Sequence, residues 1–122
     1  MGKDYRRLKA WQMCDELAVA TYRETRRFPR EELFGLRSQL RRSALSAPTN
    51  IVEGCARRTQ KDYLSFLNRA EASLEEAGYL IGFAARLSYL EPEASQRLLA
   101  MQDEAARTLR GLSNRIARDL RR

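Results

Sequence analysis

Hydrophobic residues recur along this chain at steps of three and four, which is the spacing of one face of an α-helix. Four such segments stand out, at about residues 7–27, 30–57, 60–90 and 92–120. Phe28-Pro29 separates the first two segments, because the residue before a proline is pushed away from helical conformation. The pattern therefore predicts four long amphipathic helices.

The apolar stripes of these segments indicate the core. They are built mainly of leucine, alanine and aromatic residues, and in chain order they are Leu8, Trp11, Cys14, Ala18 and Tyr22; Leu33, Leu36, Leu40, Ala44, Ala47 and Ile51; Tyr63, Phe66, Ala70, Leu74, Ala77, Ile81 and Ala84; Leu98, Met101, Ala105, Leu109, Leu112 and Ile116. Pro48 lies inside the second stripe, which continues in phase, so we expect a kink there and not a break. Thr59 followed by Asp62 predicts an N-cap for the third helix.

Connections of about two to four residues between long helices favour antiparallel neighbours. We therefore expect an all-α, antiparallel up-down-up-down four-helix bundle, with residues 1–122 forming one domain. No apolar run approaches the ~20 residues that span a bilayer. The first residues lack the apolar segment of a secretory signal, so we expect a cytoplasmic protein with no membrane association.

Two cysteines, Cys14 and Cys55, could form a disulfide, but reduced and buried thiols fit a chain without a secretory signal better. The chain has no histidine, and its carboxylates are scattered. Metal-ligand spacing, a glycine-rich phosphate loop and a nucleophile elbow are missing from the sequence. Glu53 and Glu76 could pair as acid and base, but nothing positions a substrate, so we expect no enzyme, cofactor or metal.

The second and third stripes are wider than one helix face requires. The additional apolar residues lie about a quarter-turn from the main stripes, and they are Phe34, Leu45, Val52, Leu80, Phe83 and Leu87. Extra apolar width on a small domain suggests a homo-oligomer that buries part of it between subunits. The alternative is a core that uses wide stripes on its middle helices.

A polar row flanks the core stripe of the second helix and continues on the third. We assign it to a structural network, because buried polar groups must be paired, and its candidate members are Gln39, Ser43, Asn50, Glu53, Ser73 and Glu76. A polar contact surface is the alternative.

The charge balance is 23 basic against 16 acidic residues, a net +7, with arginine far outnumbering lysine. Arginine binds phosphates and carboxylates in a bidentate manner, so this surplus suits a nucleic-acid or acidic protein partner. A solvated face with arginine replacing lysine is the alternative. The candidate phosphate contacts lie on the second and fourth helices and are Arg37, Arg41, Arg42, Arg107, Arg110, Arg118 and Arg121.

An ordered set of short motifs runs through the second helix: Phe28-Pro29-Arg30-Glu31-Glu32, Gly35-Leu36, Gln39-Leu40-Arg41-Arg42-Ser43-Ala44, Ser46-Ala47-Pro48 and Asn50-Ile51-Val52-Glu53-Gly54. Leu8 and Trp11 precede this run, and Tyr63, Phe66-Leu67, Ala70, Ser73 and Glu76 follow it. This pattern resembles the family of four-helix bundle proteins encoded in intervening sequences of bacterial 23S ribosomal RNA genes. The resemblance covers nearly the whole chain, with departures at Ala72, where the family usually has Gly, and Val52, where it often has Ala.

The resemblance implies an up-down bundle that assembles as a ring-shaped homopentamer. The family includes relatives of the accessory protein of diversity-generating retroelements, a basic pentamer associated with a reverse transcriptase and nucleic acid. Our leading hypothesis is a non-enzymatic homopentamer that associates with the backbone of RNA or DNA. The alternative is an adaptor that docks on a protein such as a reverse-transcriptase-like partner, with no direct nucleic-acid role.

Overall fold

Four long helices form the body of the protein in a computed structural model that describes residues 3–122. They are α1 (Lys9–Glu24), α2 (Leu36–Cys55), α3 (Gln60–Arg86) and α4 (Pro92–Leu120). Three short 3₁₀ turns, Tyr5–Arg7, Thr25–Arg27 and Arg30–Glu32, lie before and between the first two helices. None of the described helices is both long enough and apolar enough to span a membrane.

The helices pack side by side in chain order, and α1 also packs against α4. At one end of the bundle, the Lys3 amide donates to the Cys55 carbonyl over 3.1 Å. At the other end, the rings of Phe28 and Tyr89 lie 5.4 Å apart and join the first connection to the last. This closed square with alternating directions confirms the predicted all-α up-down-up-down bundle.

The stripes of α2, α3 and α4 form most of the core. Leu40, Ala44, Ile51, Leu74 and Leu109, among others, are fully buried. Every member from Leu36 to Ile51 in the second stripe is buried, and α2 runs through Pro48 without a break. In the third and fourth stripes only Phe66 and Met101 stay half-buried.

The core face of α1 is rotated from the predicted stripe. Leu17 and Thr21 are fully buried, whereas Tyr22 is exposed and Leu8 and Trp11 are half-buried. The Thr21 hydroxyl is buried without a hydrogen-bond partner in the described chain, although a helix carbonyl can accept a hydrogen bond from such a hydroxyl. The next threonine, Thr25, shows this bond, donating from its Oγ1 to the Thr21 carbonyl over 2.8 Å.

The prediction that the second helix begins at residue 30 is wrong. Residues 30–32 form a separate 3₁₀ turn, Leu33 is exposed, and α2 begins at Leu36 after a non-helical Gly35. The Glu32 carboxylate accepts from the Leu36 amide over 3.0 Å and so caps α2 from outside the helix. A helix N-terminus needs such an acceptor because its first amides have no partner in the helix.

The third helix also ends earlier than predicted, at Arg86 and not near residue 90. Ser88 has a φ of 62°, in the left-handed region. The Tyr89 and Ser88 amides donate to the carbonyls of Ala84 and Ala85, both over 3.0 Å. This is the hydrogen-bond pattern of a Schellman cap with serine where glycine usually stands. The predicted Thr59 cap is present, since its Oγ1 accepts from the Asp62 amide over 3.1 Å.

Close contact between α2 and α3 depends on Gly54. A Cβ placed on Gly54 would lie 2.9 Å from the Cβ of Phe66 and 3.2 Å from Cδ1 of Tyr63. Phe66 Cβ is fixed to its helix backbone, so the helices would have to separate. Only glycine lets α2 approach α3 this closely at their connected ends.

Both cysteines are buried and unpaired. Burial raises the pKa of the Cys14 thiol to about 12, and it also raises the pKa of Cys55. At neutral pH both thiols are therefore protonated and behave as small apolar side chains.

We predict that Gly54→Ala destabilises the protein although alanine favours helices more than glycine. The steric cost of crowding a packed contact is about 1–3 kcal/mol, against a propensity gain of about 1 kcal/mol, so a net loss of up to about 2 kcal/mol is expected. Gly111→Ala is the matched control, because a Cβ there meets nothing within 4 Å and should stabilise α4. Denaturant unfolding of both variants measures the difference, and a stabilised Gly54→Ala protein would disprove the close contact.

Candidate nucleic-acid interface

Positive charge is concentrated at the end of the bundle where the chain begins and ends. This basic end comprises residues 3–10, 53–69 and 112–122, which the antiparallel topology brings together. It contains 12 basic and four acidic residues, a net +8, whereas the rest of the chain has 11 basic and 12 acidic residues, a net −1. The whole net charge of +7 therefore arises at one end.

The basic residues at this end have few acidic partners. Among the described residues, the one ion pair here joins Arg6 Nε to the Asp4 carboxylate over 3.0 Å, and this hydrogen bond lowers the pKa of Asp4. The remaining cations are solvent-exposed and have no ion pair in the described chain: Lys3, Arg7, Lys9, Arg57, Arg58, Lys61, Arg69, Arg115, Arg118, Arg121 and Arg122. Such a cluster can hold a phosphate backbone by charge.

Two of the predicted phosphate contacts, Arg107 and Arg110, lie elsewhere and face carboxylates. Arg107 Nε lies 3.1 Å from an Asp103 carboxylate oxygen one turn earlier on α4. Arg110 lies between two acids of α3, 3.7 Å from Glu71 and 3.9 Å from Glu75. These neighbours offset the positive charge that α4 alone displays.

A third predicted contact, Arg41, serves the fold. Its Nε donates to Thr25 Oγ1 over 2.8 Å, its Nη2 donates to the Tyr22 carbonyl over 2.9 Å, and its guanidinium lies 4.6 Å from the Tyr22 ring centroid. Burial lowers the pKa of Arg41, and the nearby charge of Arg37 lowers it further. Arg41 thus connects α2 to the end of α1.

The predicted set therefore does not form one surface. Arg37 is half-buried, and its Nε is buried without a hydrogen-bond partner in the described chain. Arg42 is exposed on the α2–α3 side of the bundle. Arg118 and Arg121 lie at the basic end, together with cations of other segments that helix-by-helix analysis did not select. Summing charge over each end of an antiparallel bundle is the sequence signal that identifies them.

The predicted polar network is smaller than proposed and is centred on Ser46. The Ser73 hydroxyl donates to Ser46 Oγ over 2.9 Å, and the Asn50 amide donates to the same oxygen over 3.0 Å. Ser43 donates instead to the Leu40 carbonyl of its own helix. These bonds tie α2 to α3 near the middle of the bundle.

Three remaining members of the predicted network are exposed. The Glu53 carboxylate, near the end of α2, accepts no hydrogen bond from Ser46, Asn50 or Ser73 in the described chain. Gln39 and Glu76 line an open hollow of about 490 Å³ with Arg42, Ser43, Ser46 and Ser73. Their side chains face solvent, because the α2–α3 groove is open at this point.

Two exposed apolar surfaces lie on adjacent sides of the bundle. The Phe34 surface, on the α2–α3 side, consists of Phe34, Tyr79, Phe83 and Leu87, and Phe34 itself is 93% exposed. The Leu45 surface, on the α1–α2 side, consists of Val19, Tyr22 and Leu45 around an open hollow of about 440 Å³. Of the residues predicted to widen the stripes, Leu80 is in the core and Val52 is half-buried.

Comparison with known proteins agrees with this architecture. A crystal structure of a protein of unknown function from the S23 ribosomal protein family of Bacteroides thetaiotaomicron superposes with a TM-score of 0.76. The two sequences are 21% identical, and the match covers 85% of this chain and 97% of the other. No curated protein matches the chain.

The family model of the 23S rRNA-intervening sequence protein matches residues 6–111. This range extends from the 3₁₀ turn before α1 into the second half of α4. The chain therefore belongs to the family of 23S rRNA-intervening sequence proteins.

Proposed function

We propose that this protein is a non-enzymatic homo-oligomer whose basic end binds the phosphate backbone of RNA or DNA. The observation that carries the proposal is the segregation of charge, +8 at one end against −1 elsewhere. Exposed cations that no carboxylate neutralises attract a polyanion by releasing its condensed counterions, without reading base sequence. The cations come from the first residues and the start of α1, from the connection between α2 and α3, from α3 and from the end of α4, and antiparallel packing gathers them at one end.

The two apolar surfaces support self-association. The Phe34 surface has Glu32 beside it, and Glu75 and Glu76 lie one turn before Tyr79 on α3, whereas the hollow of the Leu45 surface is lined by two cations, Arg23 and Arg26, and one acid, Asp15. The two rims have net charges of opposite sign, and the protruding Phe34 ring can enter the apolar hollow. The two surfaces are therefore complementary in charge and in shape. One copy therefore presents its Phe34 surface to the Leu45 surface of the next, a head-to-tail contact that closes into a ring.

The position of these surfaces also suits a small ring. Adjacent sides of a square four-helix bundle face directions about 90° apart. In a ring, the directions from one subunit to its two neighbours make an angle of about 90° when there are four subunits and about 108° when there are five. The homopentamer that the family resemblance implies is close to this geometry. Side-by-side contacts also place all basic ends on the same face of the ring, and this strengthens the positive electrostatic field at that face.

We predict that removing charge at the basic end weakens nucleic-acid binding more than removing the same charge elsewhere. The test variant carries Arg57→Gln, Arg58→Gln, Arg118→Gln and Arg121→Gln, and the matched control carries the same change at Arg30, Arg97, Arg107 and Arg110. Binding of a labelled RNA hairpin and a DNA duplex is measured against salt concentration. The test variant should bind more weakly and show a shallower salt dependence, by about 0.7–0.9 in the log–log slope for each phosphate that it no longer neutralises.

Two outcomes contradict this proposal. Equal losses of affinity in both variants indicate attraction by net charge alone, without a defined basic end. No binding of the unmodified protein at low salt to the hairpin, the duplex or a single-stranded oligonucleotide excludes the function altogether and favours the protein-docking adaptor.

We predict that the head-to-tail contact can be interrupted from either side and partly restored by mixing. Phe34→Glu removes the protruding ring but leaves the hollow intact, whereas Leu45→Glu does the reverse. Each variant alone should be monomeric by light scattering, and an equimolar mixture should form a dimer that cannot extend. Ala100→Glu on the exposed face of α4 is the control and should keep the parent mass.

A monomeric parent protein at micromolar concentration contradicts self-association. If both variants are monomeric and do not pair on mixing, the head-to-tail arrangement is wrong. Each surface then contacts the same surface of a neighbouring subunit.

A further inference from the structure

Aromatic rings accompany the cations of the basic end. The Phe66 ring lies between two guanidinium groups, with Arg57 Cζ 4.8 Å and Arg69 Cζ 4.5 Å from its centroid. Lys3 Nζ lies 4.4 Å from the Tyr63 centroid, and Arg6 lies 5.8 Å from the Tyr5 centroid. In the described chain the one other pair of this kind is Arg41 with Tyr22, which serves the fold.

The arrangement around Phe66 is held by the backbone. Gly54 allows the Cβ of Phe66 to lie directly against α2. Arg57 Nε donates to the Glu53 carbonyl over 3.3 Å, which keeps its guanidinium beside the ring. Arg69 follows Phe66 by three residues on α3 and so shares its face. Two planar cations and an aromatic ring are thereby held together at the solvent-exposed surface.

Phosphate binding alone does not require this arrangement, since lysines on flexible side chains supply the same charge. Guanidinium planes and aromatic rings add flat surfaces on which a nucleobase can stack. In a duplex the faces of internal bases are already covered by neighbouring pairs, whereas in a single strand they are accessible. A stacking surface within a basic patch therefore discriminates between the two forms.

We infer that the basic end selects single-stranded over duplex nucleic acid, with a base stacking on the guanidinium groups that Phe66 holds. This inference rests on the proposed function and names the form of nucleic acid bound at that site. Arg57, Arg69 and Phe66 form the stacking element, and Arg118 and Arg121 contribute charge. Selection between strands of different sequence should be weak, because every base presents a flat face.

The test replaces planar cations by non-planar ones at constant charge. The variant Arg57→Lys with Arg69→Lys is compared with Arg118→Lys and Arg121→Lys as a matched control. Fluorescence anisotropy with an oligonucleotide of about 12 nucleotides, a length within the usual site sizes of single-strand binders, and with its duplex, measures affinity at one salt concentration.

The unmodified protein should bind the single strand more tightly than the duplex. The Arg57/Arg69 variant should lose about tenfold or more of its single-strand affinity, the contribution of one stacked base, and keep its duplex affinity. The control variant should keep both affinities within about twofold. Phe66→Leu retains apolar volume and should reproduce the selective loss, which separates stacking from any effect of the lysines on local packing.

Equal or tighter binding of the duplex by the unmodified protein overturns the inference, as does an Arg57/Arg69 variant that behaves like its control. Either result leaves the proposed function standing as charge-based binding at the basic end. Failure to bind both single strand and duplex at low salt overturns the proposed function together with the inference.

Discussion

The close approach of α2 and α3 is the constraint on which the other features of this protein depend. These helices share the most extensive contact in the bundle, and at their connected ends Gly54 leaves no space between α2 and the Phe66 Cβ. Near the middle, the hydrogen bond from Ser73 to Ser46 joins the two helices, and Asn50 of α2 donates to the same Ser46 oxygen. At the margins of this contact, Phe34 is exposed near one end and Phe66 is half-buried at the other.

The concentration of positive charge at one end results from the antiparallel topology, because no single segment is strongly basic. Each segment that reaches the basic end carries only a modest excess of cations, and the α2–α3 connection contributes Arg57 and Arg58. Antiparallel packing places the start of α1, this connection and the end of α4 side by side. In the middle of the bundle the same packing places Glu71 and Glu75 against Arg110, which offsets its charge.

Much of the fold could be predicted from the sequence, because the stripes of α2, α3 and α4 have a clear helical period. The predicted helix ends were wrong where a side chain or a backbone conformation outside the apolar stripe determines where the helix begins or ends. The Glu32 carboxylate caps α2 across a 3₁₀ turn, and Ser88 adopts the left-handed conformation that glycine usually signals. The rotation of α1 was missed because its core face includes Thr21, which a hydrophobic pattern does not count.

The candidate site was harder to predict for a related reason. Arginines were grouped by helix face, but which cations remain unpaired depends on the neighbouring helix. Arg41 illustrates this, since Thr25 and Tyr22 of the preceding segment make it a structural residue. Arg118 and Arg121 are exposed as predicted, yet most of the other cations at the basic end come from residues 3–10 and 53–69.

Hydrogen–deuterium exchange with and without a bound oligonucleotide shows where along the chain the ligand lies, and so tests whether the basic end is the binding surface. We expect slower exchange to be concentrated in residues 3–10, 53–69 and 112–122, above all in the α2–α3 connection and the last turn of α4. Slower exchange concentrated instead around residues 23–42, or on the middle of α4 near Arg107 and Arg110, would contradict it.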